Sequence, residues 1–149
     1  MKLLQSNPKD ASAVILHHEG KILLQQRSNI KGIFYPNFWG LFGGAKNNYE
    51  KFYTTAIREI NEELNLKIDF KEINYFFKLD IQFPISKKKH KFVKRYFYIY
   101  QIPDLKFFKR NVKLGEGRDM MFFSKKEYNK INVVPYDKFA IDLFYEFNE

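Results

Sequence analysis

The 149-residue chain contains no cysteine, an absence that removes disulfide frameworks, thiolate zinc sites and cysteine nucleophiles at once. Histidine is scarce too, and two of the three, His17 and His18, are neighbours in an apolar stretch. Successive side chains of a strand point to opposite faces, so that pair cannot share a metal. No apolar run approaches the roughly 20 residues that span a bilayer, which argues against a membrane partner. The opening Met1-Lys2-Leu3-Leu4-Gln5-Ser6-Asn7-Pro8 turns polar too soon for a secretion signal, so a cytoplasmic location is expected. Acidic residues are in deficit: 17 Asp and Glu stand against 26 Lys and Arg, for a formal net charge of +9. Such a surface concentrates anionic ligands (nucleotides, diphosphates, nucleic acids), although solubility accounts for it equally well.

What is present suits one packed domain over residues 1–149: 45% of residues are hydrophobic and 19% aromatic. Residues 11–18 and 21–27 read as a hairpin around Glu19-Gly20, and 28–37 as a loop holding Gly32 and Pro36. A short strand is expected at 38–42, broken by Gly43-Gly44. A helix follows from near Asn48, as cap, to near Leu64, with Glu50 in its first turn and Asn65 as the left-handed stop. Tyr53, Ala56, Ile57, Ile60 and Leu64 recur at helical spacing and predict its apolar face. Residues 66–83, 92–102 and 118–124 read as strands, with a basic connection Ser86-Lys87-Lys88-Lys89-His90-Lys91 between the first two. Helices are expected near 125–130 and 136–147. Mixed strands, a central helix and terminal helices give an α+β class, a sandwich around a mixed sheet.

The helix carries the chemistry. At about 100° per residue, Glu59, Glu62 and Glu63 share one face, rotated roughly 120° from the apolar stripe. The helix can therefore bury one side on a sheet and present three carboxylates on another. Like charges so placed repel, and a hard cation between them reverses the sign; oxygen donors suit Mg²⁺, Mn²⁺ or Ca²⁺. These three glutamates alone are better read as a solvated acidic face.

The wider spacing is more specific. Gly44, Glu50, Arg58-Glu59-Ile60, Glu62-Glu63 and Leu66 resemble the Nudix box: Gly, five residues, Glu, seven residues, Arg-Glu, an aliphatic, one residue, Glu-Glu, one residue, Gly, an aliphatic. Six polar or glycine matches at fixed spacing arise by chance on the order of once in ten million start points. Ile22-Leu23-Leu24-Gln25-Gln26-Arg27, Trp39-Gly40-Leu41-Phe42-Gly43-Gly44, Glu116-Gly117 and Phe122-Phe123-Ser124 resemble the family's flanking strands. The chain departs from the pattern at Asn65, in place of the late Gly, at Phe42, where Pro is frequent, and at Asn47 and Tyr49, where Glu and Gly are frequent.

The resemblance implies a Nudix-type α/β/α sandwich, with the box helix on one side of the sheet. It implies a pyrophosphohydrolase that uses Mg²⁺, or Mn²⁺, to cleave the diphosphate of an NTP, dNTP or nucleotide sugar with activated water. Glu62, Glu63, Glu59 and the Gly43 carbonyl would be metal ligands, with Arg58 and Glu50 orienting them. Glu59 or Glu116 would act as the base. Arg27 could bind phosphate or be solvated, and Tyr35 and Trp39 could stack on a base or belong to the core. The partner is a small nucleotide; a non-catalytic nucleotide- or RNA-binding module is the rival reading, and a homodimer stays open.

Overall fold

The computed structural model describes residues 8–29, 34–115 and 119–148. Strand β1 (Ala11–His18) turns at Glu19 and Gly20, whose φ values of 49° and 78° are those a tight hairpin needs, into β2 (Lys21–Gln26). There follow β3 (Trp39–Gly40), β4 (Phe42–Ala45), α1 (Phe52–Leu64), β5 (Asn74–Pro84), β6 (His90–Gln101), α2 (Leu105–Asn111), β7 (Asp119–Phe123), α3 (Lys125–Tyr128) and α4 (Pro135–Phe147). Among the described residues the strands form one seven-stranded sheet on the path β3-β2-β1-β6-β5, with β4 added to β1 and β7 to β2. The sheet is mixed: β1 runs parallel to β6, and the other named strand pairings are antiparallel.

The alternation of β1 explains the two layers of helices. Val14 and Leu16 face α1 and pack with Ala56, Ile60, Leu64 and Phe108. Ala13 and Ile15 face the other way and pack with Ala140, Ile141 and Phe144 of α4. A strand buried on both sides reads as an unbroken apolar run, as this one does. Each large aliphatic side chain so buried contributes about 1.5–3 kcal/mol. The architecture is the α+β sandwich expected, with the box helix on one side and α3 and α4 on the other.

One edge of β1 serves two partners. Residues 11–14 pair with β4, and residues 16–18 pair with β2, so the sheet forks beside Ile15.

Several boundaries differ from expectation. Gly43 and Gly44 do not break a strand: they lie inside β4, opposite Ala13 and Ser12, and the interruption falls at Leu41. Helix α1 starts at Phe52, and its cap residue Lys51 makes no side-chain bond, so Asn48 is not the cap. The cause is Glu50, whose N–H closes a turn onto the Asn47 carbonyl (3.1 Å) while its carboxylate accepts the Asn47 N–H (2.9 Å). Asn65 does end the helix at φ 54° and ψ 35°, bonding back to the Asn61 carbonyl. On the packed face Ala56, Ile60 and Leu64 are buried as expected, Tyr53 is exposed, and Thr55 and Glu63 are buried instead. The strand expected from residue 66 begins only at Asn74, because Asp69 draws the Lys71 N–H into a turn. Helix α2 was not expected; Asp104 caps it by accepting the Phe107 N–H. Among the described residues no helix is long and apolar enough to cross a membrane.

Candidate active site

The fork in the sheet is where the helix glutamates arrive. Glu63 is buried, and its carboxylate spans the gap: Oε2 accepts from Gln25 Nε2 of β2 (2.5 Å) and Oε1 from the Gly43 N–H of β4 (2.9 Å). Charge-assisted acceptance from two fixed donors holds a carboxylate in one orientation. Glu59, one turn earlier, lies against Gly44, where any Cβ would collide with its carboxylate. Gly43 leaves still less space: a Cβ there would run into the Ser12 carbonyl and lie 2.7 Å from Ala13 Cα, at φ +156°. The glycine pair is thus required by close approach of β1 on one side and Glu59 on the other.

Arg58 ties the surroundings together. Its Nε and Nη2 donate to Glu50 (2.7 and 2.9 Å), Nη2 also to the Ala45 carbonyl (3.0 Å), and Nη1 to Glu59 (3.0 Å) and Glu62 (3.2 Å). The Arg58 hydrogen bond holds the Glu50 carboxyl at about 2, and the same bond raises Arg58 itself. The loop before α1, the end of β4 and the acidic face are therefore fastened by one guanidinium. Glu62 is the outermost of the three acids, its side chain 56% exposed.

Beside this face opens a cleft of about 200 Å³, bordered by Gln25, Arg27, Gly43, Gly44, Arg95 and Tyr136. Arg27 is held by donating Nε to the Phe34 carbonyl (2.7 Å). Arg95 donates Nε and Nη2 to Asp137 Oδ1 (3.1 and 3.0 Å), while Asp137 Oδ2 accepts the Leu41 N–H (3.0 Å). Burial disfavours the Arg95 charge, but its pairing with Asp137 outweighs this and raises its pKa. The Tyr136 ring lies on the guanidinium, 4.7 Å from its carbon.

Of the expected site residues, Glu59, Glu62, Glu63, Gly43, Arg58 and Glu50 come together, and Arg27 lines the cleft. Tyr35 does not line the cleft; its ring is edge-on to Tyr136, centroids 6.0 Å apart. Trp39 belongs to the α4-side core, edge-on to Phe123 at 4.9 Å, and does not line the cleft. Glu116 and its neighbour Gly117 lie outside the described residues. Sequence reasoning assigned no role to Gln25, Arg95, Tyr136 or Asp137. A lone arginine amid the aromatic alternation of β6 was the available signal, but its partner is 42 residues away.

The donors fit a hard divalent cation: carboxylate oxygens and main-chain carbonyls, without sulfur or imidazole. Among the described residues no three acids or imidazoles stand close enough together to hold a metal ion as their side chains are placed.

A model of the NUDIX domain matches residues 7–143. No curated protein matches the sequence. Among solved structures, the chain is similar to the MutT NUDIX hydrolase of Burkholderia pseudomallei, at 18% identity and TM-score 0.72 over 92% of this chain and 98% of that one. The NUDIX domain of Shewanella oneidensis NrtR, solved with ADP ribose, has 14% identity and TM-score 0.73 over 97% and 90%. The dihydroneopterin triphosphate pyrophosphohydrolase of E. coli has 14% identity and TM-score 0.71 over 96% and 97%. At such identities these likenesses speak for the fold.

Proposed function

The chain belongs to the Nudix family, and from that premise we propose that it is a metal-dependent pyrophosphohydrolase cleaving the diphosphate link of a nucleoside diphosphate derivative: an NTP, a dNTP or a nucleotide sugar. The observation that carries this reading is the meeting of Glu59 and Glu63 of α1 with the glycine pair of β4, which itself borders a cleft lined by two arginines.

Glu62, Glu63 and Glu59 would hold Mg²⁺, with the Gly43 carbonyl as a further oxygen donor. When bound, the ion neutralises diphosphate charge and activates water. The chain's own residues do the rest. Gln25 and the Gly43 N–H fix the Glu63 carboxylate in place. Arg58 and Glu50 hold Glu59 and Glu62 at their spacing on the helix. Arg27 and Arg95 give the cleft a positive lining that draws in phosphate, and Arg presents the forked donors that suit it. Tyr136, which lines the cleft where Trp39 and Tyr35 do not, would be the aromatic side chain beside the nucleoside. Glu59 or Glu116 would take the proton from the attacking water. The products are a nucleotide and a phosphorylated leaving group, or pyrophosphate.

The test is hydrolysis of a nucleotide panel by purified protein, with and without Mg²⁺, the products read by mass spectrometry. Glu63→Gln and the exposed Glu62→Gln should each lower kcat by about 100-fold or more, the scale on which ligand or proton-transfer groups act. Unaltered turnover in both variants would remove the assigned site.

A further inference from the structure

A second hollow, of about 730 Å³, lies outside the cleft and takes no part in the reading above; Lys9, Lys46, Asn47, Tyr49, Lys91 and Phe92 are among the residues that line it. Tyr49 is 100% exposed and Phe92 70% exposed, so two large rings stand in solvent with no core to serve. The acid that also lines it, Asp10, is engaged: its Oδ1 accepts the Lys94 N–H (2.8 Å) and its carbonyl the Lys46 N–H (2.8 Å). The floor of the groove is thereby fixed, joining the start of β1 to the loop before α1. Lys87, Lys88 and Lys89 occupy the turn just before Lys91, adding positive charge along the chain.

Two further facts bear on a ligand. Asn47 and Tyr49, where the chain departs from the box pattern, both line this groove. Lys9 borders both the groove and the cleft, so the two hollows adjoin. A free mononucleotide in the cleft has no use for a second, wider basic hollow set with exposed rings. A strand of linked nucleotides does: its phosphates follow the lysines and its bases stack on the aromatic faces, whatever their sequence. A duplex hides its base faces, and an acidic peptide gains little from the rings.

We propose that this groove binds single-stranded nucleic acid, with Tyr49 and Phe92 as stacking platforms and Lys9, Lys46 and Lys91 as phosphate contacts. The inference goes beyond the hydrolase reading and does not depend on turnover.

The experiment is fluorescence anisotropy of a labelled oligouridine with the full chain across a salt series. Tyr49→Ala and Phe92→Ala should each weaken binding by about 5- to 150-fold, the effect of losing one stacked base. Lys9→Ala with Lys91→Ala should flatten the slope of log K against log salt by about 1.4, since each phosphate contact on a single strand adds about 0.7. Circular dichroism checks that the variants are folded. Binding that ignores both ring substitutions, equal affinity for a duplex of the same length, or ring-dependent capture by phosphatidylserine vesicles without oligouridine binding would each overturn the proposal. Because the readout is binding, an inactive protein that holds the strand fails only as a hydrolase, and an active one that ignores it fails only here.

Discussion

Gly44 shows how much one hydrogen in place of a methyl can decide. Its Cα lies so close to Glu59 that any side chain would displace the carboxylate. Gly44→Ala should therefore push the Glu59 carboxylate aside and lower turnover, at little cost in stability because the displaced atoms are the far end of a flexible side chain. Gly20→Ala is the contrasting case: no atom lies within 4 Å of the added carbon, but φ is +78°. That strain removes about 1–2 kcal/mol and should leave turnover alone. Melting curves and kcat for the two variants separate the effects; a fully active Gly44→Ala would contradict the contact. At this scale the sequence was partly legible. Helical arithmetic put Glu59, Glu62 and Glu63 on one face; in the structure Arg58 holds Glu59 and Glu62, while Glu63 turns inward to Gln25 and Gly43. That Glu63 is buried while Glu62 is exposed depends on Gln25 and Gly43, partners that no local pattern ties to the helix.

At the scale of elements, α1 gains its rigid entry from an ion pair with the loop before it rather than from a side-chain cap. Glu50 is held at about 2, below its ordinary 4.5, chiefly by the Arg58 hydrogen bond. A carboxyl depressed by folding contributes stability that is complete above the unfolded value and is lost as pH falls toward the folded one. Acid should thus loosen this pairing between about pH 4.5 and 2. Glu50→Gln should be less stable at neutral pH, with a flatter decline through that window, measured by denaturant midpoints at stepped pH. A parallel decline in both proteins would show that the pair contributes nothing. The helix end was readable, because Asn tolerates a left-handed backbone. Its start was not: Asn48 has the composition of a cap, but Glu50 donates its N–H to the Asn47 carbonyl and accepts the Asn47 N–H, which organises a turn there instead.

Across the molecule, Asp137 joins three parts of the chain: α4, which carries it, β6 through Arg95, and the Leu41 N–H between β3 and β4. Asp137→Ala would leave a buried guanidinium unpaired and should lose about 3–5 kcal/mol in chemical denaturation, whereas an exposed pair would lose under about 1. A small effect would mean that Arg95 reaches water when its partner is gone. The sandwich was legible because unbroken apolar strands and an amphipathic helix dictate layers. The Arg95–Asp137 pairing and the neighbouring Tyr136 were not, since only the assembled sheet brings them together.

The central ladder of that sheet joins β1 to β6, and beside its first pair, Ala11 opposite Arg95, the Asp10 side chain accepts the Lys94 N–H across 84 residues. Such distant pairing slows folding, because a long loop must close before the contact rewards it. During synthesis, β1 therefore waits for its parallel neighbour until residues 95–101 have left the ribosome. Until then its doubly apolar strand is uncovered along one edge. Truncations that end before β6 should aggregate rather than yield a small stable half.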